Sequence, residues 1–213
     1  MKKPIGIIFD CDGCLLDSEK IYLDTVKIYL KTFNIEADYE DLVFVLGKPM
    51  SKIASGLIEK YKLDTSIDEL IVEQRKLFND SIKNAKLVPM PFLKEFLKDC
   101  KENNITLAIA SSSKKDYIND VLKRLDIEEY FDCITSGEEV QNGKPSPDIY
   151  LLTAKKMNIS TDDLMVIEDS KSGIHSGVSA GIYTIGYKGS IIEQDTSEAN
   201  ISIKSYKEIE WSK

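Results

Sequence analysis

The sequence predicts an α/β protein with a doubly wound, mostly parallel sheet and a small all-helical domain inserted after the first strand. From residue 92 onward, short apolar runs alternate with amphipathic helical patterns, which is typical of a parallel sheet with crossover helices. Residues 17–84 show helical patterns alone. We therefore expect a core domain formed by residues 1–16 and 85–213 and a helical cap domain formed by residues 17–84.

Length, composition and charge limit the possible classes. The 213 residues are 42% hydrophobic with a formal net charge of −8, which fits a globular chain with one sizeable core. The negative charge disfavours nucleic acid as a partner, because binding a phosphate backbone needs a basic surface. No apolar run approaches the ~20 residues that span a bilayer, and the few cysteines and short N-terminal apolar run favour a reducing compartment. We expect a cytoplasmic protein, monomeric or weakly dimeric, with no nucleic-acid or membrane partner.

The first predicted strand, Ile5–Phe9, ends at a pair of carboxylates. Its five apolar residues are too few for a helix and do not alternate, which indicates a strand buried on both faces. Asp10, Asp12 and Gly13 follow directly. Two carboxylates at the end of a buried strand repel each other and lose hydration, so a cation is expected between them. An ordinary strand-to-turn junction is the alternative, since Asp and Gly are common turn residues.

Four helices are predicted in the inserted domain from apolar residues spaced three and four apart. Asp38, Ser51 and Ser66 are the expected N-caps of the second, third and fourth helices, and Ser66 begins a capping box with Glu69. The expected ranges are 21–33, 38–46, 51–61 and 66–84. The prolines of the segment 88–91 then mark the return to the core domain, because paired prolines stop helices.

The rest of the chain alternates between helices and strands. Strands are predicted at 106–110, 131–134, 164–167, 182–185 and 201–203, and helices at 92–103, 114–125, 147–157 and 171–180. Two of these strands end at polar residues. The strand 106–110 is followed by Ser111, and the strand 164–167 is followed by Glu168 and Asp169. Because parallel strands present their carboxyl ends at one edge, we expect them to converge with the first acidic pair. Lys144, just before a helix, is a further candidate.

These side chains suit phosphoryl transfer through an aspartyl-phosphate. Such a reaction needs a carboxylate nucleophile, a proton shuttle, a hydroxyl and a cation for the phosphate oxygens, and carboxylates for a metal ion. Each of these groups is present among the candidates at the predicted strand ends and at Lys144. The residues alone therefore favour a phosphoryl-transfer enzyme.

The segment 10–19 resembles the first signature of the haloacid dehalogenase-like (HAD) superfamily of phosphohydrolases. Ser111 fits its second motif, Lys144 in Lys-Pro-x-Pro-Asp the third, and Glu168-Asp169 the fourth, so the resemblance extends over essentially the whole chain. It implies a Rossmann-like core, the HAD fold. A helical insertion directly after the first motif is similar to that of the β-phosphoglucomutase-like branch.

The resemblance also implies a role for each motif residue. Asp10 would attack phosphorus, Asp12 would act first as acid and then as base, and Ser111 and Lys144 would hold the phosphate oxygens. The implied cofactor is Mg²⁺, a hard ion that prefers oxygen ligands. Its ligands would be Asp10, the Asp12 carbonyl, Asp169 and, as a nearer or outer ligand, Glu168. Further candidates for binding phosphate or substrate are Gly13, Ser18, Gly47, Lys48, Lys52 and Ser112.

We therefore expect a Mg²⁺-dependent phosphohydrolase for a small phosphorylated metabolite, with a sugar phosphate favoured. Family members that cleave haloacids or phosphonates do not keep an Asp at this second position, so the resemblance implies that Asp12 accompanies activity on phosphate esters. The loop 46–52 is expected to help choose the substrate. A sugar phosphomutase of the β-phosphoglucomutase type is the alternative, although this loop contains no Arg to grip a second phosphate. A non-catalytic phosphate-binding protein similar to a phospho-receiver domain is a third possibility, although receiver domains have no helical cap.

Three other features have simpler interpretations. Cys11 and Cys14 resemble a redox or zinc pair, but zinc would need two more ligands and the remaining cysteines are distant, so we expect both to pack in the core. His175 is the only histidine and is expected on the surface or between helices, not as a general base. Ser112 and Ser113 could also cap the helix that follows them.

Overall fold

The first strand, β1 (Gly6–Phe9), lies in the middle of a six-stranded sheet in the computed structural model, which describes residues 1–45, 50–190 and 194–211. Its four residues are all buried, as the unbroken apolar run predicts. On one side β1 pairs in parallel with β2 (Thr106–Ser111). On the other side it pairs in parallel with β4 (Leu164–Glu168). The strand that precedes the acidic pair is therefore central to the sheet.

The complete strand order is β3-β2-β1-β4-β5-β6, and every pairing is parallel. The remaining strands are β3 (Cys133–Ser136), β5 (Tyr183–Tyr187) and β6 (Ile201–Ile203). This confirms the doubly wound α/β fold. The order changes direction between β1 and β4, and in such sheets a crevice opens there at the carboxyl ends of the strands.

The chain divides into two compact units. The larger unit comprises Met1–Asp17 and Leu87–Lys213, and the smaller comprises Ser18–Lys86. The smaller unit contains only helices among its described residues: α1 (Ser18–Lys31), α2 (Tyr39–Leu42), a 3₁₀ turn at Val43–Val45, α3 (Met50–Tyr61) and α4 (Ile67–Asn84). It is inserted in sequence between β1 and β2. Its function as a cap stays a prediction.

The N-terminal ends of the helices in the smaller unit show which of the predicted N-cap residues are correct. Ser66 Oγ accepts from the Glu69 backbone N at 3.2 Å and Glu69 Oε2 accepts from the Ser66 backbone N at 3.0 Å, so the capping box is confirmed. The second helix begins directly after Asp38, as predicted. The prediction that Ser51 caps the third helix is wrong, because that helix already begins at Met50.

Among its described residues, the larger unit contributes four further α-helices, which cover both faces of the sheet. They are α5 (Leu93–Glu102), α6 (Lys115–Leu125), α7 (Asp148–Met157) and α8 (Lys171–Ser179). Successive β1 residues point to opposite faces. Phe9 contacts Phe96 of α5 with ring centroids 6.1 Å apart, whereas Ile8 belongs to a cluster with Ile149 and Tyr150 of α7.

The largest differences from the predicted boundaries in this unit are two residues, in β5, which was expected at 182–185 and lies at Tyr183–Tyr187, and in β3. β3 was expected at 131–134 but begins and ends two residues later, at Cys133–Ser136. Its first register pair is Ala108 with Cys133, so pairing with the neighbouring strand decides where it begins and the local apolar pattern does not. Among the described residues, none of the helices combines the length and the apolar composition needed to cross a bilayer.

Candidate active site

The acidic residues at the carboxyl ends of β1 and β4 lie side by side. Phe9 is in register with Ile167, and the Asp10 backbone N donates to the Ile167 carbonyl at 2.9 Å, which places Asp10 next to Glu168. Asp10, Glu168 and Asp169 are all buried, and each has one carboxylate oxygen within 4.8 Å of the others. The sheet thus brings together residues from opposite ends of the sequence, at the crevice where the strand order reverses.

Lys144 provides a positive charge at the centre of this acidic group. Its Nζ lies 2.6 Å from Asp10 Oδ1, 2.7 Å from Glu168 Oε1 and 3.1 Å from the Ala110 carbonyl. These three acceptors match the three hydrogens of an ammonium group. The loop before α7 therefore delivers Lys144 to the edge formed by β1, β2 and β4.

Burial and charge act in opposite directions on these groups. Burial raises the pKa of Asp10 to about 7; the Lys144 ammonium opposes that rise, and the carboxylates of Glu168 and Asp12 add to it. Burial alone would lower the pKa of Lys144, but Asp10 and Glu168 hold that pKa well above its ordinary value. Lys144 therefore remains charged. Three carboxylates face one ammonium here, which leaves two negative charges when all are ionised.

Glu168 already accepts four hydrogen bonds from protein groups. Oε1 accepts from Lys144 and from Tyr150 OH at 3.2 Å. Oε2 accepts from the Ser170 backbone N at 2.8 Å and from its hydroxyl at 3.0 Å. Gly173 makes room for this carboxylate, since a Cβ at that position would lie 1.6 Å from Oε1. Glu168 is therefore held rigidly and fixes Lys144 in turn.

Asp169 lies against the loop that follows Asp12. Gly13 has a φ of +79°, and a Cβ there would lie 2.0 Å from Asp169 Oδ2. Only glycine tolerates both that backbone conformation and this close approach. Gln194 donates to the same oxygen at 3.2 Å. The loop and Gln194 thus fix the Asp169 carboxylate from two sides.

The Asp12 carboxylate has different neighbours. Tyr117 OH donates to Oδ1 at 2.8 Å, and Ser113 Oγ donates to Oδ2 at 2.9 Å. The Ser113 backbone N donates to Ser111 Oγ at 3.1 Å, which ties this arrangement to the end of β2. The two aspartates, although only two residues apart, thus have distinct environments: Asp10 contacts Lys144, and Asp12 contacts neutral hydroxyls.

The other predicted site residues are distributed as follows. Ser111 is buried at the end of β2, one residue beyond the carbonyl that accepts from Lys144, whereas Ser112 is exposed. In the smaller unit, Ser18 is the buried first residue of α1 and Lys52 is an exposed residue of α3. Gly47 and Lys48 lie outside the residues that the structure describes.

Several polar contacts of the site were not predicted, among them the bond from the Ser170 hydroxyl to Glu168. Ser113 was interpreted as a helix cap, but the N-cap of α6 is Lys114 and no side chain caps that helix. Tyr117, Tyr150 and Gln194 received no role. Tyr117 lies in the first turn of the helix after Ser111, and topology could have indicated it, because that turn faces the strand ends. No sequence signal singles out Tyr150 or Gln194.

The predicted core positions of the two cysteines and the predicted surface position of the histidine are confirmed. Cys11 and Cys14 are both fully buried, and burial raises the pKa of each thiol well above its ordinary value. His175 is exposed on α8, with Nδ1 2.8 Å from Glu198 Oε2. None of these three side chains supplies a ligand to the acidic cluster of Asp10, Glu168 and Asp169.

Comparison with known proteins gives consistent matches. The model of the haloacid dehalogenase-like hydrolase family matches residues 7–187. A phosphorylated carbohydrates phosphatase of Thermotoga maritima is 33% identical over 184 residues, covering 84% of this chain and 82% of that protein. The fructose-1-phosphate phosphatase of Escherichia coli is 28% identical over 185 residues, covering 85% and 95% of the two chains.

A solved structure matches over nearly the whole chain. It is the crystal structure of a Thermotoga maritima protein provisionally described as a β-phosphoglucomutase, with a TM-score of 0.78 and 29% sequence identity. The match covers 96% of this chain and 94% of that one. The likeness therefore includes the inserted helices as well as the sheet.

Proposed function

The chain belongs to the haloacid dehalogenase-like hydrolase family, as its motifs predict, and we propose that it is a Mg²⁺-dependent phosphatase of small phosphorylated metabolites. One observation carries this proposal: a buried lysine joins Asp10 to Glu168, and a third carboxylate, Asp169, lies beside them. This arrangement suits the hydrolysis of a dianionic phosphate ester, because it offers a nucleophile, a fixed cation and oxygen ligands in one place.

The acidic cluster fits a divalent cation. Its three carboxylates exceed the single ammonium by two charges, and a hard dication such as Mg²⁺ prefers carboxylate oxygens. Asp10 and Asp169 would be ligands, together with the Asp12 backbone carbonyl. Glu168 would act as an outer ligand, since its oxygens already accept four hydrogen bonds. Bound there, Mg²⁺ would offset the charge of the phosphate oxygens.

In the proposed reaction, an Asp10 carboxylate oxygen attacks phosphorus. The bond from phosphorus to the alcohol oxygen breaks, and Asp12 gives its proton to that oxygen. Asp12 then takes a proton from water, the water oxygen attacks phosphorus, and the bond from phosphorus to Asp10 breaks to release phosphate. Lys144 and Ser111 would stabilise the negative charge on the phosphate oxygens throughout.

A sugar phosphate is the substrate class that we propose. The relatives named above act, by their names, on phosphorylated carbohydrates and on fructose 1-phosphate. We propose that the unit Ser18–Lys86 is a cap and that two of its lysines, Lys48 and Lys52, select the substrate; Lys52 lies in α3 and not in a loop as expected. An ammonium is a point charge that can bind hydroxyls or phosphate without the fixed fork of Arg. Lys52→Ala should then change KM among sugar phosphates more than it changes kcat.

A phosphomutase is the second candidate, and one observation favours it. The matching solved structure is described provisionally as a β-phosphoglucomutase. A mutase would return the phosphoryl group to a second sugar hydroxyl, whereas a phosphatase passes it to water. The absence of Arg from residues 46–52 weighs against a grip on a second phosphate.

One experiment separates these functions. Phosphate release and sugar-phosphate interconversion would be measured across hexose, pentose and polyol phosphates for wild type and Asp10→Asn, with Mg²⁺ and with EDTA. Release that requires both Asp10 and Mg²⁺ is the expected result. Conversion of hexose 1-phosphates to 6-phosphates without release would mean a mutase. Inactivity in both assays would exclude the proposed function and favour a binding protein.

A further inference from the structure

Tyr117 and Ser113 hold the Asp12 carboxylate, and the reaction above assigns them no role. The phenol donates to one carboxylate oxygen at 2.8 Å and the serine hydroxyl to the other at 2.9 Å. One bond to each oxygen fixes the rotation of the carboxylate as well as its position. Each oxygen keeps a second lone pair, so the group can still carry the proton that it transfers.

Both donors are themselves fixed within the larger unit. Tyr117 lies in the first turn of α6 and is half-buried. Burial and the Asp12 charge raise the pKa of the phenol, so it stays protonated and remains a donor. Ser113 is held by the bond from its backbone N to Ser111 Oγ. All of these contacts are made by groups of the larger unit, so the protein itself orients the Asp12 carboxylate.

We propose that Tyr117, assisted by Ser113, is the positioning residue that aims Asp12 at the oxygen of the leaving alcohol. The inference rests on the proposed function, because it assumes that Asp12 protonates that oxygen. Proton transfer is effective only from a group within hydrogen-bond reach and correctly oriented. A carboxyl group free to rotate would spend much of its time in unproductive orientations.

The dependence of the rate on the leaving group tests this role. A sugar alkoxide is a poor leaving group unless it is protonated, whereas 4-nitrophenolate leaves without a proton. Tyr117→Phe keeps the ring and removes only the donor. We expect its kcat/KM to fall about 10- to 100-fold on fructose 1-phosphate, or on the hexose phosphate that wild type prefers, as loss of a hydrogen bond to a charged group implies. On 4-nitrophenyl phosphate we expect a change of less than about threefold.

Four further variants make the test specific. Asp12→Asn should also lose more kcat/KM on the sugar phosphate than on 4-nitrophenyl phosphate, and the difference should be larger than for Tyr117→Phe. Ser113→Ala should show the same difference between the two esters. If the two donors act on one group, the double variant with Tyr117→Phe should lose less kcat/KM than the product of the two single losses. Tyr183→Phe is the matched control, because Tyr183 is an exposed residue at the start of β5, at the sheet edge opposite the site.

The outcomes separate the inference from the proposed function. Equal losses on both esters would mean that Tyr117 supports the fold or phosphate binding, and would overturn the inference alone. Unchanged kcat/KM on both esters would overturn it as well. Wild-type protein that cleaves neither ester would overturn the proposed function and the inference with it.

Discussion

Lys144 Nζ lies 2.6 Å from Asp10 Oδ1, and the two side chains are only 5% and 10% exposed. An ion pair this deeply buried is costly to form, because both charges lose their hydration. Breaking it by removing one partner is costlier still, since the other charge remains buried without compensation. Lys144 Nζ also lies 2.7 Å from Glu168 Oε1. Two buried carboxylates therefore depend on the charge of this one ammonium. This lysine therefore holds together the sheet edge as well as the proposed chemistry.

We expect Lys144→Met to abolish phosphate release and to lower the free energy of unfolding by about 3 to 5 kcal/mol at pH 8. Met matches the length of the side chain but leaves Asp10 and Glu168 without a cation. Urea unfolding measures the loss. Lys171→Met is the control, because its partner Asp195 is exposed and the pair should contribute much less. Similar losses in the two variants would contradict the central position of Lys144.

The metal-free protein should become less stable as pH rises toward 8. The pKa of Asp10 is about 7 in the folded protein, against an ordinary value of 3.8. The folded state therefore holds this proton more tightly than the unfolded state, so the stabilisation by protonation is complete below about pH 4 and lost as pH rises through 7. Asp10→Asn cannot ionise at this position and should lose less stability over that range.

Thermal unfolding in EDTA between pH 5.5 and 8 measures this difference. Asp126→Asn is a suitable control, since the Asp126 side chain is 98% exposed. Addition of Mg²⁺ should raise the Tm of wild type more at pH 8 than at pH 5.5, because the cation binds ionised carboxylates. If wild type and Asp10→Asn show the same pH dependence, burial of Asp10 does not set the stability of the metal-free protein.

The sequence predicts the sheet and the residues at its carboxyl edge because both depend on local, strongly patterned signals. The apolar runs of β1 and β4 are unambiguous, and parallel pairing then brings Asp10 and Glu168 together without further information. The capping box at Ser66 is equally local. The boundaries of β3 were missed because they depend on register with β2, a tertiary property.

The contacts that hold the site residues in place could not be predicted in the same way. Tyr150 reaches Glu168 from α7, and Gln194 reaches Asp169 across 25 positions of sequence. Neither residue type is specific to catalytic sites. Their roles follow from distances that no periodicity or motif encodes, so a single sequence identifies the charged groups and leaves out the hydroxyls and amides that orient them.

Gly13→Ala should be far more harmful than Gly181→Ala. Both glycines have positive φ, +79° and +72°, so each substitution carries the strain of a left-handed backbone, about 1 to 2 kcal/mol. Only at Gly13 would the new Cβ meet Asp169 Oδ2, at 2.0 Å, whereas no atom lies within 4 Å at Gly181. We expect the kcat/KM of Gly13→Ala to fall at least about tenfold, because a proposed metal ligand would be displaced. The kcat/KM of Gly181→Ala should stay near that of wild type.

Phosphate release and Tm of the two glycine variants check this expectation. The comparison separates backbone strain, which both variants share, from displacement of a carboxylate, which only one suffers. Equal loss of activity in both would mean that strain alone accounts for the effect and that the close approach to Asp169 has no bearing on activity.

Gln194→Ala should weaken metal binding without changing the chemistry. The Gln194 amide donates to Asp169 Oδ2 at 3.2 Å and so restricts the orientation of a proposed Mg²⁺ ligand. Loss of such an outer contact typically costs about 10- to 100-fold in metal affinity. We therefore expect the Mg²⁺ concentration for half-maximal phosphate release to rise about tenfold or more, while kcat at saturating Mg²⁺ stays near that of wild type.

Gln141→Ala, at an exposed position of the same unit, is the matched control. A fall in kcat that saturating Mg²⁺ does not restore would mean that Gln194 acts on substrate and not on the metal ligand.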